Sequence, residues 1–450
     1  MVPIRDGTLR LPMPKLLVVF TLILLAKPDP LHGWGEPMHA AITTAALDSL
    51  PGWQQDYLKA IREVFIRRYV LIPDIAGLPE NRAELGRFVV LPNGDLFTHI
   101  PYERPHNFYQ MRYYFEKALE SWRAGQLDEG ARYAGCLLHF LEDSGSPSHT
   151  FPMDNQLTLL KDFLETPPAF RDRPLHGLVE NGTARIAMHG YRPQLLGTGS
   201  EEAVANLIER LNVEVRNARA QLIPILEGVF HGSDSEMESG RARAGVVDAQ
   251  VAADALYTLL SMVQNRFDPD QRKQLESRDV SSLTPLEAIH QSYFPQFAFF
   301  SDPYSGYPTR DGILENGEKK RPLILRVMKE GHVVQEVFEH GLGLGTHSRV
   351  TYALPAKVYD RFECLVGLHA ELGTGGKIAY RIYLDGEAVF YSGVILGEDP
   401  AQKVSLDVYD KGEISIEIES RNDKRGANYA VIAAPMLYKV KSTRKQGLTY

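Results

Sequence analysis

The residues with chemistry to offer concentrate in Leu138-His139-Phe140-Leu141-Glu142-Asp143-Ser144-Gly145-Ser146-Pro147-Ser148-His149. On a helix, His139 and Asp143 stand at i and i+4, so both project from one face and can grip one metal ion. Gly145 and Pro147 then break the helix, which lets His149 turn back toward the same cluster. Further on, His176 and Glu180 repeat the i, i+4 spacing. One His-x-x-x-Asp pair is commonly an ordinary surface or core pair. Two in one region, with a third histidine a turn away, point to metal. Eight of the 14 histidines precede residue 190, and Trp34, His39, Asp74 and His99 lie in that same half. Nitrogen and oxygen donors without thiolates suit zinc and leave coordination positions open for water. Several divalent ions close together favour attack on a phosphoester: one activates water while its neighbours neutralise charge on the phosphate oxygens.

Helices must position these groups. From about residue 34 to 265 the apolar periodicity is helical, with Val204, Leu207, Leu211, Val215, Ala218 and Leu222 marking one face. Val247, Val251, Ala255, Leu259 and Met262 mark a second. The same periodicity predicts helices over 36–49, 53–67, 106–124 and 127–143. After about residue 278 the character changes. A stretch rich in Pro, Gly and aromatic residues reads as an ordered connector, because a disordered linker would not carry so many aromatics. Alternating β-branched runs follow, with Asp385-Gly386 between two of them as a hairpin turn signal. Short strands at regular spacing point to a β-sandwich. The expected fold is multidomain: an all-α zinc hydrolase domain followed by a β-sandwich. Its expected boundaries are a signal peptide at 1–33, the helical domain at 34–278, the connector at 279–333 and the sandwich at 334–440.

The 450-residue length suits two or three domains, and the net charge of −8 offers no overall basic field for nucleic acid. Arg5, Arg10 and Lys15 precede an apolar run from Leu16 to Ala26, the pattern of an export signal; the alternative is a single N-terminal anchor. Export predicts a secreted or periplasmic protein. The two cysteines, Cys136 and Cys364, fall in different expected domains, so no disulfide between them is expected.

The order Trp…His…Asp…His…His-x-x-x-Asp-x5-His…His-x-x-x-Glu resembles the superfamily of three-zinc enzymes that joins bacterial phospholipases C and single-strand-specific nucleases. The resemblance covers roughly residues 34–265. It implies a first zinc held by Asp74, His99, His139 and Asp143, and a second held by His149, His176 and Glu180. A third would be held by Trp34, through its amine and carbonyl, with His39, and Asp143 would bridge. Asp74 is expected to be catalytic as well as a ligand, and His106 is the alternative to His99. Cleavage directly before Trp34 would free the amine, whose pKa lies near neutrality.

Glu180 and the Ser-Gly-Ser-Pro-Ser-His loop resemble the phospholipase branch, whereas the five-residue step from Trp34 to His39 resembles the nucleases. Tyr102, Phe108 and Tyr109 are candidates to line a headgroup or base pocket. From Val334 to Tyr438, the motifs Gly341-Leu342-Gly343-Leu344-Gly345-Thr346-His347-Ser348, Tyr383-Leu384-Asp385-Gly386 and Tyr391-Ser392-Gly393-Val394 resemble the NPCBM-type carbohydrate-binding sandwich. Asn428-Tyr429 stand where that family usually shows Asp and Trp. The expected function is an exported zinc phosphodiesterase of the phospholipase C type, with up to three zinc ions. Its expected partners are a phospholipid substrate, a glycan on the rear module and a peripheral membrane contact, with no stable protein partner. The alternatives are a single-strand-specific nuclease and a non-catalytic glycan-binding surface protein with structural zinc.

Overall fold

A computed structural model describes residues 34–99, 101, 106–150, 175–290, 308–315, 319–421 and 427–439. The signal peptide expected at 1–33 and Tyr102 lie outside them. The N-terminal half is helical: α1 Glu36–Ser49, α2 Gly52–Leu58, α3 His106–Arg123, α4 Leu127–Ser144, α5 Leu175–Glu180, α6 Ser200–His231 and α7 Asp234–Val263. Pro37 sits in the first turn of α1, where a missing N–H costs nothing, and Pro51 follows its end. Asp128 and Glu129 place negative charge in the first turn of α4. Gly232, at φ 67°, closes α6 in the left-handed conformation that glycine adopts without strain. The Ser233 hydroxyl then caps α7 by accepting from Glu236 N. The helix expected over 53–67 is broken instead. It runs as α2, a short turn, the three-residue helix Arg62–Val64 and a π-helical turn at Phe65–Tyr69.

Helix α7 is long and apolar enough to cross a membrane, but 78% of its apolar window is buried inside the protein. It lies in the helical core with the C-terminal half of α4, where Leu138, Phe140, Leu141, Leu256 and Leu259 are fully buried. That makes α4 and α7 rigid supports for whatever polar groups they carry.

The C-terminal half is a sandwich of two six-stranded antiparallel sheets. One runs Gln402–Asp407, Arg361–Leu368, Ala430–Tyr438, Gly341–Leu344 and Thr309–Arg310, with Ser277–Asp279 also paired to Ala430–Tyr438. The other runs Glu387–Tyr391, Lys377–Leu384, Glu413–Ser420, Ser348–Ala353 and Glu287–His290, with Ile395–Leu396 also on Lys377–Leu384. Val350, Tyr352, Phe362, Ile378, Tyr380, Ile416 and Ile432 fill the space between them. Asp385 and Gly386 both have positive φ and join paired Leu384 and Glu387, the tight hairpin their sequence predicts. Cys136 and Cys364 are buried free thiols in separate domains.

The expected boundaries differ from the strands: Ser277–Asp279 closes the range expected as helical, and the range expected as a connector supplies strands at Glu287–His290 and Thr309–Arg310. Strands of two to four residues are too short to show alternation, so only their pairing reveals them. The two halves meet through Lys439 Nζ, 2.5 Å from Glu202 Oε1, and Thr284 N, which donates to Glu209 Oε2 at 2.9 Å. A fragment beginning at Ser277 is therefore expected to unfold in one cooperative thermal transition. One beginning at Val334 loses the fully buried Leu323 and Leu325 and should melt earlier or without cooperativity, as read by circular dichroism.

Candidate metal centre

Six segments meet at the cluster. Helix α1 supplies His39, the helical turn Ile72–Ile75 supplies Asp74, and the extended chain before α3 supplies His99. Helix α4 supplies His139 and Asp143, on one face as their spacing requires. The 3-10 turn Pro147–Thr150 then brings His149 back beside Glu180 at the end of α5. His39, His139 and Asp143 are fully buried, whereas the side chains of Asp74 and His99 remain 15% and 20% exposed. The cluster therefore opens to solvent on the Asp74–His99 side.

The separations are informative. His139 Nε2 lies 3.4 Å from Asp74 Oδ1, 3.2 Å from Asp143 Oδ2 and 3.3 Å from His99 Nδ1. His39 Nε2 lies 3.3 Å from Asp143 Oδ1, and His149 Nε2 lies 3.3 Å from Glu180 Oε1. Two ligands bonded at about 2.0–2.1 Å to one tetrahedral zinc stand about 3.3–3.4 Å apart, so these spacings match the edges of a zinc tetrahedron. One contact is shorter, with His99 Nδ1 at 2.5 Å from Asp143 Oδ2. His39 Nε2 and Asp143 Oδ1 face each other without hydrogen-bond geometry, and neither has another hydrogen-bond partner. Buried polar atoms are normally satisfied, so two such atoms aimed at common space fit a cation between them. Two outward nitrogens are held: His39 Nδ1 by Glu142 Oε2 at 2.6 Å, and His149 Nδ1 by the carbonyl of His99 at 3.1 Å, whereas His139 Nδ1 has no hydrogen-bond partner. Anchoring of the second ring nitrogen is the usual arrangement for a metal-bound histidine.

Electrostatics support the same picture. Burial and neighbouring His139 oppose a charge on His39, but the carboxylates of Asp143 and Glu142 outweigh both and raise its pKa to about 9. Burial likewise opposes a charge on His139, and Asp143 and Asp74 reverse it, lifting His139 well above the usual range. Asp143 is held well below the carboxylate range: burial pushes it up, but His139, His39 and His99 together win. The site thus favours buried anionic oxygen facing positive charge.

Of the remaining predicted residues, Trp34 is fully buried and its indole donates to Asp248 Oδ2 at 2.8 Å. Gly35, next in the chain, lies against Asn181 and Glu180, which brings this end of the chain beside α5. His176 lies in α5 and His106 begins α3, but their side chains lie outside the described residues. Phe108 is partly buried and Tyr109 is 40% exposed.

Four supporting residues were not expected from sequence. Glu142 holds His39, Thr43 Oγ1 donates to Glu142, and Ser148 Oγ donates to Glu180 Oε1 at 2.5 Å. Asp248 holds Trp34. Burial pushes Asp248 well above the carboxylate range despite the indole, and burial with Asp248 does the same to Glu214. The available signal was position: Glu142 is i+3 from His139, and Asp248 interrupts the apolar face of α7.

Residues 312–438 match the NPCBM/NEW2 domain model. No curated protein sequence matches the chain. Among solved structures, CBM51 from Clostridium perfringens GH95, in complex with methyl-galactose, aligns with 36% of this chain and 99% of its own. That alignment has 24% identity and a TM-score of 0.30. Clostridium perfringens alpha-toxin from avian strain SWCP aligns with 90% of this chain and 99% of its own, at 11% identity and a TM-score of 0.33. Alpha toxin from Clostridium absonum aligns with 91% and 100%, at 12% identity and a TM-score of 0.32.

Gly145 ends α4 where the chain must pass the buried Asp248. A Cβ there would stand 1.9 Å from Asp248 Oδ1, and both side chains are enclosed. Gly145→Ala is expected to destabilise the full chain by about 1–3 kcal/mol or more in urea unfolding. Gly52→Ala, which faces open space on α2, should be neutral or slightly stabilising.

Proposed function

We propose that the protein is an exported zinc-dependent phosphodiester hydrolase of the phospholipase C type. The observation that carries this reading is the set of histidine–carboxylate separations between 3.2 and 3.4 Å, repeated at His39–Asp143, His139–Asp74 and His149–Glu180. These residues also stand in the order that resembles the three-zinc superfamily. Asp143 presents Oδ2 to His139 and His99 and Oδ1 to His39, so it would bridge two ions. His149 and Glu180 would hold the remaining ion, which the resemblance completes with His176, and the main chain of Trp34 would join His39. Zinc held there supplies charge to polarise a phosphoryl oxygen and lowers the pKa of bound water. Asp74 and His99 border the open side, where a phosphodiester enters, and Asp74 is placed to hold a proton of the attacking water. Serine hydroxyls of the Ser146–Ser148 loop bond to each other and to Glu180, keeping that carboxylate aimed inward.

Phospholipid is favoured over single-stranded nucleic acid, because the net charge of −8 provides no general cationic track for a polynucleotide backbone. The family-model match to the rear sandwich supports glycan binding there, and a glycan or membrane contact would hold the enzyme at a surface. Asn428 is not free to recognise sugar: its carbonyl accepts from Lys377 N and its amide donates to Ser420.

Purified protein grown with zinc is expected to carry more than one zinc ion per chain by elemental analysis. Losing an outer partner of a metal-bound histidine costs about 10–100-fold, so His139→Ala should lower phospholipid hydrolysis by more than about 100-fold. In side-by-side measurements of kcat/KM, phospholipid should exceed single-stranded DNA and RNA. The reverse preference, abolished by His149→Ala, would replace phospholipase by nuclease while keeping the zinc centre.

A further inference from the structure

Glu142 is a fully buried carboxylate that is not placed to hold an ion itself. Its Oε2 lies 2.6 Å from His39 Nδ1, and its Oε1 accepts from Thr43 Oγ1 at 2.7 Å. Thr43 is i+4 from His39 on α1, so one helix face presents both groups to the same carboxylate on α4. Glu142 Oε2 therefore holds the proton of His39 Nδ1 in a hydrogen bond, which leaves Nε2 as the ring atom a metal ion would take. Nε2 is buried without a partner beside Asp143 Oδ1. Without an acceptor at Nδ1, the neutral ring would be free to protonate Nε2 and block the lone pair. Burial raises the Glu142 pKa, and its bonds to His39 and Thr43 only partly offset that.

We propose that Glu142, steadied by Thr43, is the positioning residue that fixes His39 as an Nε2 metal ligand. This rests on the zinc reading above and goes beyond it by assigning a control element to one ion of the set. Glu142→Gln keeps the shape but removes the charge, and should weaken one zinc equivalent by about 10–100-fold while the others stay at wild-type affinity. Thr43→Val, which keeps the carboxylate, should weaken the same equivalent by a smaller factor and serves as the readout if Glu142→Gln fails to fold.

The experiment is competition of the full-length, zinc-loaded protein and its variants against a chelator of known affinity, with circular dichroism to verify folding. In ¹⁵N-histidine-labelled protein, the His39 Nδ1 proton should resonate far downfield and lose that signature in Glu142→Gln. The decisive arm uses a His39→Ala background, where adding Glu142→Gln should change zinc affinity no further. An additional drop there, or wild-type affinity for every equivalent in folded Glu142→Gln and Thr43→Val, overturns the proposal while leaving the zinc centre intact. Failure of the wild-type protein to bind zinc overturns both.

Discussion

The buried carboxylate of Asp143 organises the helical half of the protein. An ionised group with no solvent exposure must be offset on every side, and three histidines from three segments do so. One carboxylate oxygen faces His139 and His99 and the other faces His39, so Asp143 divides the cluster into two compartments. Moving α4 along its axis by even one residue would break all of these relations together. The dense packing of Leu138, Phe140 and Leu141 prevents that movement.

Around this centre lies an outer layer of polar groups with a different task. Glu142, Thr43, Ser148 and Asp248 touch the inner residues and fix their orientation. Asp248 also explains the glycine at the end of α4, because its carboxylate occupies the space a Cβ would need. Several acids here are shielded from water yet close to one another, so burial and neighbouring carboxyls push Glu214 and Asp248 well above the usual carboxylate range. This layer is polar where a purely structural core would be apolar.

The sandwich obeys a simpler logic. Alternating residues of two sheets bury β-branched and aromatic side chains between them, and the outer strands come from sequence well before the regular alternation begins. The strand Ser277–Asp279 follows soon after the helical half and pairs with Ala430–Tyr438, near the end of the described chain. The two halves are joined by the Lys439–Glu202 contact and by Thr284 N on Glu209.

Periodicity in the sequence alone determined that a helical half precedes a strand-rich half, because burying one face imposes a repeat of 3.6 or of 2. Spacing alone put His139 and Asp143 on one helix face, since four residues make about one turn. It also marked Asp385-Gly386 as a hairpin, because both residues tolerate positive φ. The ordered series also named His39, Asp74 and His99, but only tertiary structure shows them within 3.4 Å of His139 or Asp143, because no local rule relates residues 40 to 100 positions apart. It alone revealed the roles of Glu142 and Asp248, which read in sequence as ordinary helix acids until their burial and partners are known. The short strands at Glu287–His290 and Thr309–Arg310 belong to the same class. Their identity lies in the partner strand, and a sheet edge of that length leaves no periodic trace of its own.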